Sequence, residues 1–373
     1  MRRGYFLDNI EGMHGYVPGE QVNDADVIKL NSNENPYPPS PKVLAAVATA
    51  ADGALRRYPE PTSDTLRAAA ARVYGVSTDQ VIAGNGSDEL LSMLMRCFVG
   101  PGDRVAYATP TYSLYATLVD IQGGTKATVR YADDFSIPPA LARQRAAVTF
   151  LCNPNAPSGT LVSRTAIDRL AGAVRGILVV DEAYIDFADG DGATDIPLVR
   201  RHDNLIVLRT FSKSFSLAGL RIGLAFASER LIGGMMKVKD SYNLNRLSAV
   251  AATTALHDLP WMARNIRRIQ RSRATLSIAL ARLGFQVYPS QANFVLARRL
   301  DTDMGRLQRA LKTQRIRVRE EKERLENMEG DLAELENMKK MLGEKKPLTQ
   351  LFLEQMGLRA MDIDEGPLNR DRM

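Results

Sequence analysis

From residue 80 to residue 210 the chain repeats one pattern five times: a short apolar run, a polar or glycine-rich break, then residues spaced for a helix. The runs are Gln80–Ala83, Arg104–Ala108, Ala147–Leu151, Ile177–Val180 and Leu205–Leu208. Each is too short for a buried helix and too uniformly apolar for a strand with one wet face, so each predicts a strand covered on both sides. Strands that alternate with helices predict an α/β fold whose large domain holds a mostly parallel central sheet covered by helices. In such sheets ligands bind at the carboxyl ends of the strands, and the polar breaks fall at those ends.

The rest of the chain is arranged around this core. Residues 1–40 read as an irregular N-terminal arm and loop, with Tyr16-Val17-Pro18-Gly19 and a turn-forming stretch from Asn31 to Pro39. Residues 41–245 form the large domain and residues 246–319 a smaller α+β domain. The latter has a long arginine-rich helix over 259–283, alternating strands near 284–289 and 292–296, a helix over 301–313 and a strand over 315–319. After that the composition changes. Residues 320–373 contain no valine, two alanines and six of the 14 methionines, with Leu325, Met328, Leu332 and Leu335 at heptad spacing among Glu and Lys. That pattern predicts an amphipathic helical tail.

Net charge is +6, uneven along the chain: residues 320–373 carry −5 and residues 1–319 carry +11. The arginines of the body are dispersed rather than striped with aromatics, so anionic small molecules explain the bias better than nucleic acid. No apolar run is long enough to span a bilayer, and the N-terminus lacks the apolar core of a signal peptide. Cys97 and Cys152 read as free thiols in a reducing compartment, which predicts a cytoplasmic protein. Three scattered histidines make no zinc pattern.

Several strand ends carry chemistry. Gly84-Asn85-Gly86-Ser87-Asp88 at a strand-to-helix turn offers free N–H groups and a helix N-terminus, suited to a phosphate, although a glycine turn by itself is weak evidence. Asp181 ends an apolar strand, where a carboxylate is costly without a cation; a protonated pyridine nitrogen would serve, and so would a structural salt bridge. Tyr112 reads either as a stacking platform for a flat ring or as a core tyrosine. Lys213, flanked by Ser212 and Ser214, suits an amine condensing with an aldehyde, with Arg221 placed to grip a phosphate. Alone, that lysine reads more readily as part of a solvated surface loop.

Together these residues resemble the fold-type I pyridoxal-phosphate aminotransferases. Residues 5–319 are similar to the histidinol-phosphate aminotransferase family within that class. The likeness rests on Tyr16-Val17-Pro18-Gly19, Asn31-Ser32-Asn33-Glu34-Asn35-Pro36, Arg57-Tyr58-Pro59, Gly84-Asn85-Gly86-Ser87-Asp88-Glu89, Asp181-Glu182-Ala183-Tyr184 and Ser214-Phe215-Ser216-Leu217-Ala218-Gly219-Leu220-Arg221-Ile222-Gly223. The resemblance implies pyridoxal 5′-phosphate as cofactor and Lys213 as the Schiff-base residue and proton carrier. It implies Asp181 on the pyridine nitrogen, Tyr112 stacked on the ring and Tyr184 on the phenolic oxygen. Gly86, Ser87, Asp88, Thr210, Ser212 and Arg221 would surround the phosphate, with Tyr58 reaching it from the partner subunit of a homodimer. Tyr16, Asn33 and Arg319 would face the substrate. The implied reaction moves an amino group between glutamate and imidazole-acetol phosphate, giving 2-oxoglutarate and histidinol phosphate.

Two positions depart from the family. Ala156 stands where the family often has an Asn that bonds the phenolic oxygen, so Asn155 is expected to substitute or Tyr184 to act alone. After Arg319 the expected strand with a second substrate-binding arginine is replaced by the Glu- and Met-rich segment. The expectation is an incompletely formed small domain, or a tail that replaces the missing strand differently, with transamination weak or lost. A related aromatic aminotransferase, a threonine-phosphate decarboxylase, and a non-catalytic scaffold using the tail helix remain as alternatives.

Overall fold

The computed structural model describes residues 5–13, 15, 26–190 and 194–318. Tyr16, Arg319 and the expected helical tail lie outside the described residues. The described residues fall into two compact units, the first drawn from Met1–Pro18, Asn33–Gln270 and Tyr288–Leu296, the second from Gly19–Ser32, Arg271–Val287 and Ala297–Met373. Residues 246–270, assigned from sequence to the smaller domain, pack with the first unit.

The first unit is built on seven strands: β1 (Val81–Gly84), β2 (Arg104–Thr109), β3 (Thr125–Arg130), β4 (Val148–Cys152), β5 (Ile177–Asp181), β6 (Leu205–Thr210) and β7 (Gly223–Phe226). Their order across the sheet is β1-β7-β6-β5-β4-β2-β3. All neighbours are parallel except at β7, which runs antiparallel to both β6 and β1. Because β7 is reversed, its first residue, Gly223, lies beside the last residues of β6 and β1, Thr210 and Gly84. The residues just before β7 therefore reach the edge where the other strands end.

Alternation within each apolar run sends side chains to two separate cores. Val81, Ala83, Leu178, Val180, Leu205, Val207, Leu224 and Phe226 share one core with Leu66, Ile167, Leu170 and Ala252. Ile82, Val179, Ile206, Leu208 and Ala225 share the other with Leu90, Leu94, Leu118 and Met235. The helices Asp64–Tyr74, Arg164–Ala173 and Arg246–Leu256 thus cover one face, and Ser87–Phe98, Leu114–Gln122 and Glu229–Met236 the other. Burial of each large apolar side chain contributes roughly 1.5–3 kcal/mol, which is why a one-residue slip in any strand is disfavoured: it would exchange the two faces.

In the second unit, Ile28–Lys29 pairs in parallel with Ile316–Arg317, and Gln286–Val287 pairs antiparallel with Ala297–Arg298. A segment of the arm read as irregular is thus a short strand. The strand expected over 292–296 is instead irregular, and the pairing begins at Ala297. The helix Met304–Thr313 is N-capped by Asp303, whose carboxylate accepts from the Arg306 N–H at 3.1 Å. Among the described residues no helix is long and apolar enough to cross a membrane, and no group of three or more His, Cys, Asp or Glu is placed to hold a metal ion.

Candidate active site

The end of β1 turns sharply into the helix Ser87–Phe98. Gly86 makes the turn at φ +85, a backbone conformation that favours glycine. A β-carbon on Gly86 would stand 2.5 Å from Arg221 Nη2, and one on Gly223 would stand 2.6 Å from the Ser87 nitrogen. Gly223 is therefore a spatial requirement, letting β7 meet the start of the helix, whereas a side chain on Gly86 would push the guanidinium aside. Arg221 follows the short helix Ala218–Leu220 in the left-handed region at φ +51, and Ser248 Oγ donates to the Leu220 carbonyl at 2.6 Å. Arg221 Nη1 donates to Ser212 Oγ at 3.2 Å and Nη2 to Asp88 Oδ2 at 3.1 Å. The Ser212 N–H donates to Thr210 Oγ1 at 3.1 Å. The structure brings Gly86, Ser87, Asp88, Thr210, Ser212 and Arg221 to one edge of the sheet. The helix start and the arginine together favour an anion there.

Asp181, at the end of β5, is 3% exposed. Its Oδ2 accepts from the Tyr115 hydroxyl at 3.0 Å and its Oδ1 from the Ala183 N–H at 3.1 Å. Both partners are neutral, and no ion pair to Asp181 occurs among the described residues. Burial pushes its carboxyl up to about 6, against the opposing pull of those two donors. Tyr115 has no place in the sequence reading. It sits on the buried side of the helix Leu114–Gln122, stacked on Phe150 at 4.6 Å and edge-on to Tyr112 at 5.6 Å. The only sequence signal was a tyrosine three residues beyond Tyr112. Tyr112 is half-buried, and its hydroxyl donates to Asp88 Oδ1 at 3.3 Å.

Lys213 Nζ lies 5.6 Å from the centroid of the Tyr184 ring. The Tyr184 hydroxyl accepts from Asn33 Nδ2 at 3.2 Å, and the ring meets Phe294 edge-on at 5.0 Å. Asn33 has a left-handed backbone, φ +53, and its carbonyl accepts from Asn293 Nδ2 at 3.0 Å. Asn33, Tyr184 and Lys213 are thereby gathered although the chain separates Asn33 from Tyr184 by 151 positions.

Asn155 is 2% exposed and committed to its own turn. Its amide protons go to the Pro110 carbonyl at 3.2 Å and Ser158 Oγ at 3.0 Å, while its Oδ1 accepts from Thr111 Oγ1 at 2.9 Å. Both amide protons of Asn155 are thus placed on these two acceptors. Tyr58 points outward. Its side chain is 79% exposed and stacks on Tyr242 with ring centroids 4.4 Å apart, so it is not brought to the other site residues within one chain.

Comparison with known proteins places the chain in a family. The family described as aminotransferase class I and II matches residues 25–332. A histidinol-phosphate aminotransferase from Citrifermentans bemidjiense is 47% identical over 313 residues, covering 84% of this chain and 89% of that protein. Histidinol-phosphate aminotransferase 1 of Trichormus variabilis is 44% identical over 317 residues, covering 84% of this chain and 90% of that protein. The crystal structure of histidinol-phosphate aminotransferase from Sinorhizobium meliloti, in complex with pyridoxal-5′-phosphate, superimposes with a TM-score of 0.79. It is 28% identical, and the match covers 86% of this chain and 90% of that one.

Proposed function

This chain belongs to the class I and II aminotransferases, and we propose that it is a pyridoxal-phosphate-dependent histidinol-phosphate aminotransferase, moving an amino group between glutamate and imidazole-acetol phosphate. The observation that carries the cofactor assignment is Asp181: a buried carboxylate with two neutral partners, in a place where a protonated pyridine nitrogen supplies the missing cation. The cradle of Gly86, Ser87 and Arg221 has the donor set and the open glycine that a phosphate ester needs. The names of the relatives support the substrate pair.

When bound, pyridoxal phosphate supplies an aldehyde that takes up amino groups and a ring that accepts the electron pair released at the substrate α-carbon. The chain's residues do the rest. Lys213 would hold the cofactor when no substrate is present and would move the proton to and from the substrate α-carbon. Asp181 would keep the ring nitrogen protonated. Tyr184, its hydroxyl oriented by Asn33, would bond the ring's phenolic oxygen, and Tyr112 would stack on the ring. Ser87, Asp88, Thr210, Ser212 and Arg221 would hold the phosphate, with Gly86 giving room. Asn33 faces the substrate end. The working unit is a homodimer in which Tyr58 of one subunit completes the phosphate site of the other.

Adding pyridoxal phosphate to the purified protein should produce a visible absorbance band that is missing in Lys213→Ala. A coupled assay with histidinol phosphate and 2-oxoglutarate should then show glutamate formation. A wild-type protein with no such band would remove the enzymatic reading. A band without glutamate formation would confine the failure to the substrate pair.

A further inference from the structure

The loop that carries Lys213 is gripped from two sides by side chains far away in the chain. Asn35 Nδ2 donates to the carbonyls of Lys213 at 3.0 Å and Ser214 at 3.3 Å. The amide is itself oriented, since its Oδ1 accepts from the Tyr37 N–H at 3.0 Å. Ser214, 2% exposed, donates its hydroxyl to Asp186 Oδ2 at 2.5 Å. The other oxygen of Asp186 binds Arg209 Nη2, and Arg209 Nη1 pairs with Glu182 Oε2 at 3.1 Å. Glu182 is further fixed by Thr194 Oγ1 at 2.6 Å and the Asp195 N–H at 2.5 Å.

This network lies largely out of water, with the Arg209 side chain 5% and the Glu182 side chain 0% exposed. Buried ionic groups of this kind give little net stability over apolar side chains of similar volume, and fixing one arrangement is their best attested use. The arrangement fixed here joins the end of β5, where Glu182 follows Asp181, to the loop after β6 that bears Lys213.

We propose that Ser214, Asp186 and Asn35 are positioning residues for Lys213: they clamp the peptide units on the C-terminal side of the lysine so that its flexible side chain starts from a single backbone position. The proposal rests on the reading of Lys213 as the cofactor-binding amine. A lysine stem has four rotatable carbon–carbon bonds, so a backbone free to tilt would spread its amine over many positions. Misplacement by about 1 Å costs as much as a hundredfold in rate.

Ser214→Ala removes one grip. Asn35→Asp removes the other while keeping the acceptor for the Tyr37 N–H, so the local turn survives. Each variant is mixed with pyridoxal phosphate, and the rate at which visible absorbance develops is followed beside kcat, KM for histidinol phosphate and the melting temperature. Both variants should load about tenfold or more slowly and lose a similar factor in kcat with KM little changed, because the lysine's placement acts on the reacting complex rather than on substrate binding. Loading and kcat at wild-type values in both folded variants would overturn the proposal while leaving the transaminase reading intact. A wild-type protein that develops no absorbance would overturn both.

Discussion

Arg221 Nη2 stands 3.1 Å from Asp88 Oδ2, directly over a glycine whose absent β-carbon gives the guanidinium its room. The two side chains are about equally exposed, 43% and 45%. An exposed pair of this kind contributes little to stability. Its interest lies in what it presents: a cation and a helix start at one edge of the sheet, reached only because β7 runs against its neighbours.

Removing the cation should therefore affect ligand affinity more than folding. Arg221→Ala is expected to weaken pyridoxal-phosphate binding about 10- to 100-fold, the range of one charge-assisted contact. Gly86→Ala should approach the same loss with the arginine still present, because the new methyl would displace its guanidinium. Equilibrium titration of the visible absorbance measures both, with thermal melts of the cofactor-free proteins as the folding control.

Asp181 sets stability against function. Its folded value of about 6 lies above the ordinary 3.8 of an aspartate. The unfolded chain releases this proton near 4 while the folded chain keeps it. The contribution of Asp181 to stability is thus full below about pH 4, falls as pH rises through 6, and is lost above. The loss amounts to roughly 1–3 kcal/mol. Without cofactor, Asp181→Asn should melt higher than wild type near neutral pH, and the gap should close toward pH 4. With cofactor the order should reverse. Denaturant melts across that pH range with and without pyridoxal phosphate decide it.

Asn33 and Tyr184 share one hydrogen bond of 3.2 Å. If Asn33 acts on the reaction by orienting that hydroxyl, Asn33→Ala and Tyr184→Phe should not add. A double-mutant cycle on kcat/KM is expected to give a coupling of about 0.5–1.5 kcal/mol. Strict additivity would place Asn33's role elsewhere.

Tyr58, exposed and stacked on Tyr242, has its proposed use in a second subunit. Mixing Lys213→Ala and Tyr58→Ala proteins under conditions of subunit exchange should restore about a quarter of wild-type activity, since half the dimers would carry one complete site of two. Mixtures as inactive as their parents would keep Tyr58 within its own chain.

Much of this protein was written locally. Five of the seven strands follow from apolar runs whose alternate residues feed two cores, and the positions of Gly86, Asp181 and Lys213 at one edge follow from where those runs break, whereas Arg221 reaches that edge only because β7 runs antiparallel. Periodicity of two and the punctuation of glycine and proline are short-range signals, and they survive in the bare chain. What periodicity does not carry is partner choice across long separations. Tyr115 against Asp181, Asn35 against the Lys213 loop, Asp186 against Ser214 and the commitment of Asn155 to its own turn all depend on which groups the folded backbone leaves within hydrogen-bond reach. The residues proposed to face the chemistry were legible in the sequence. The residues that hold them still were decided only by tertiary structure, because a buried donor or acceptor must find a partner and the partner is set by packing, not by spacing along the chain.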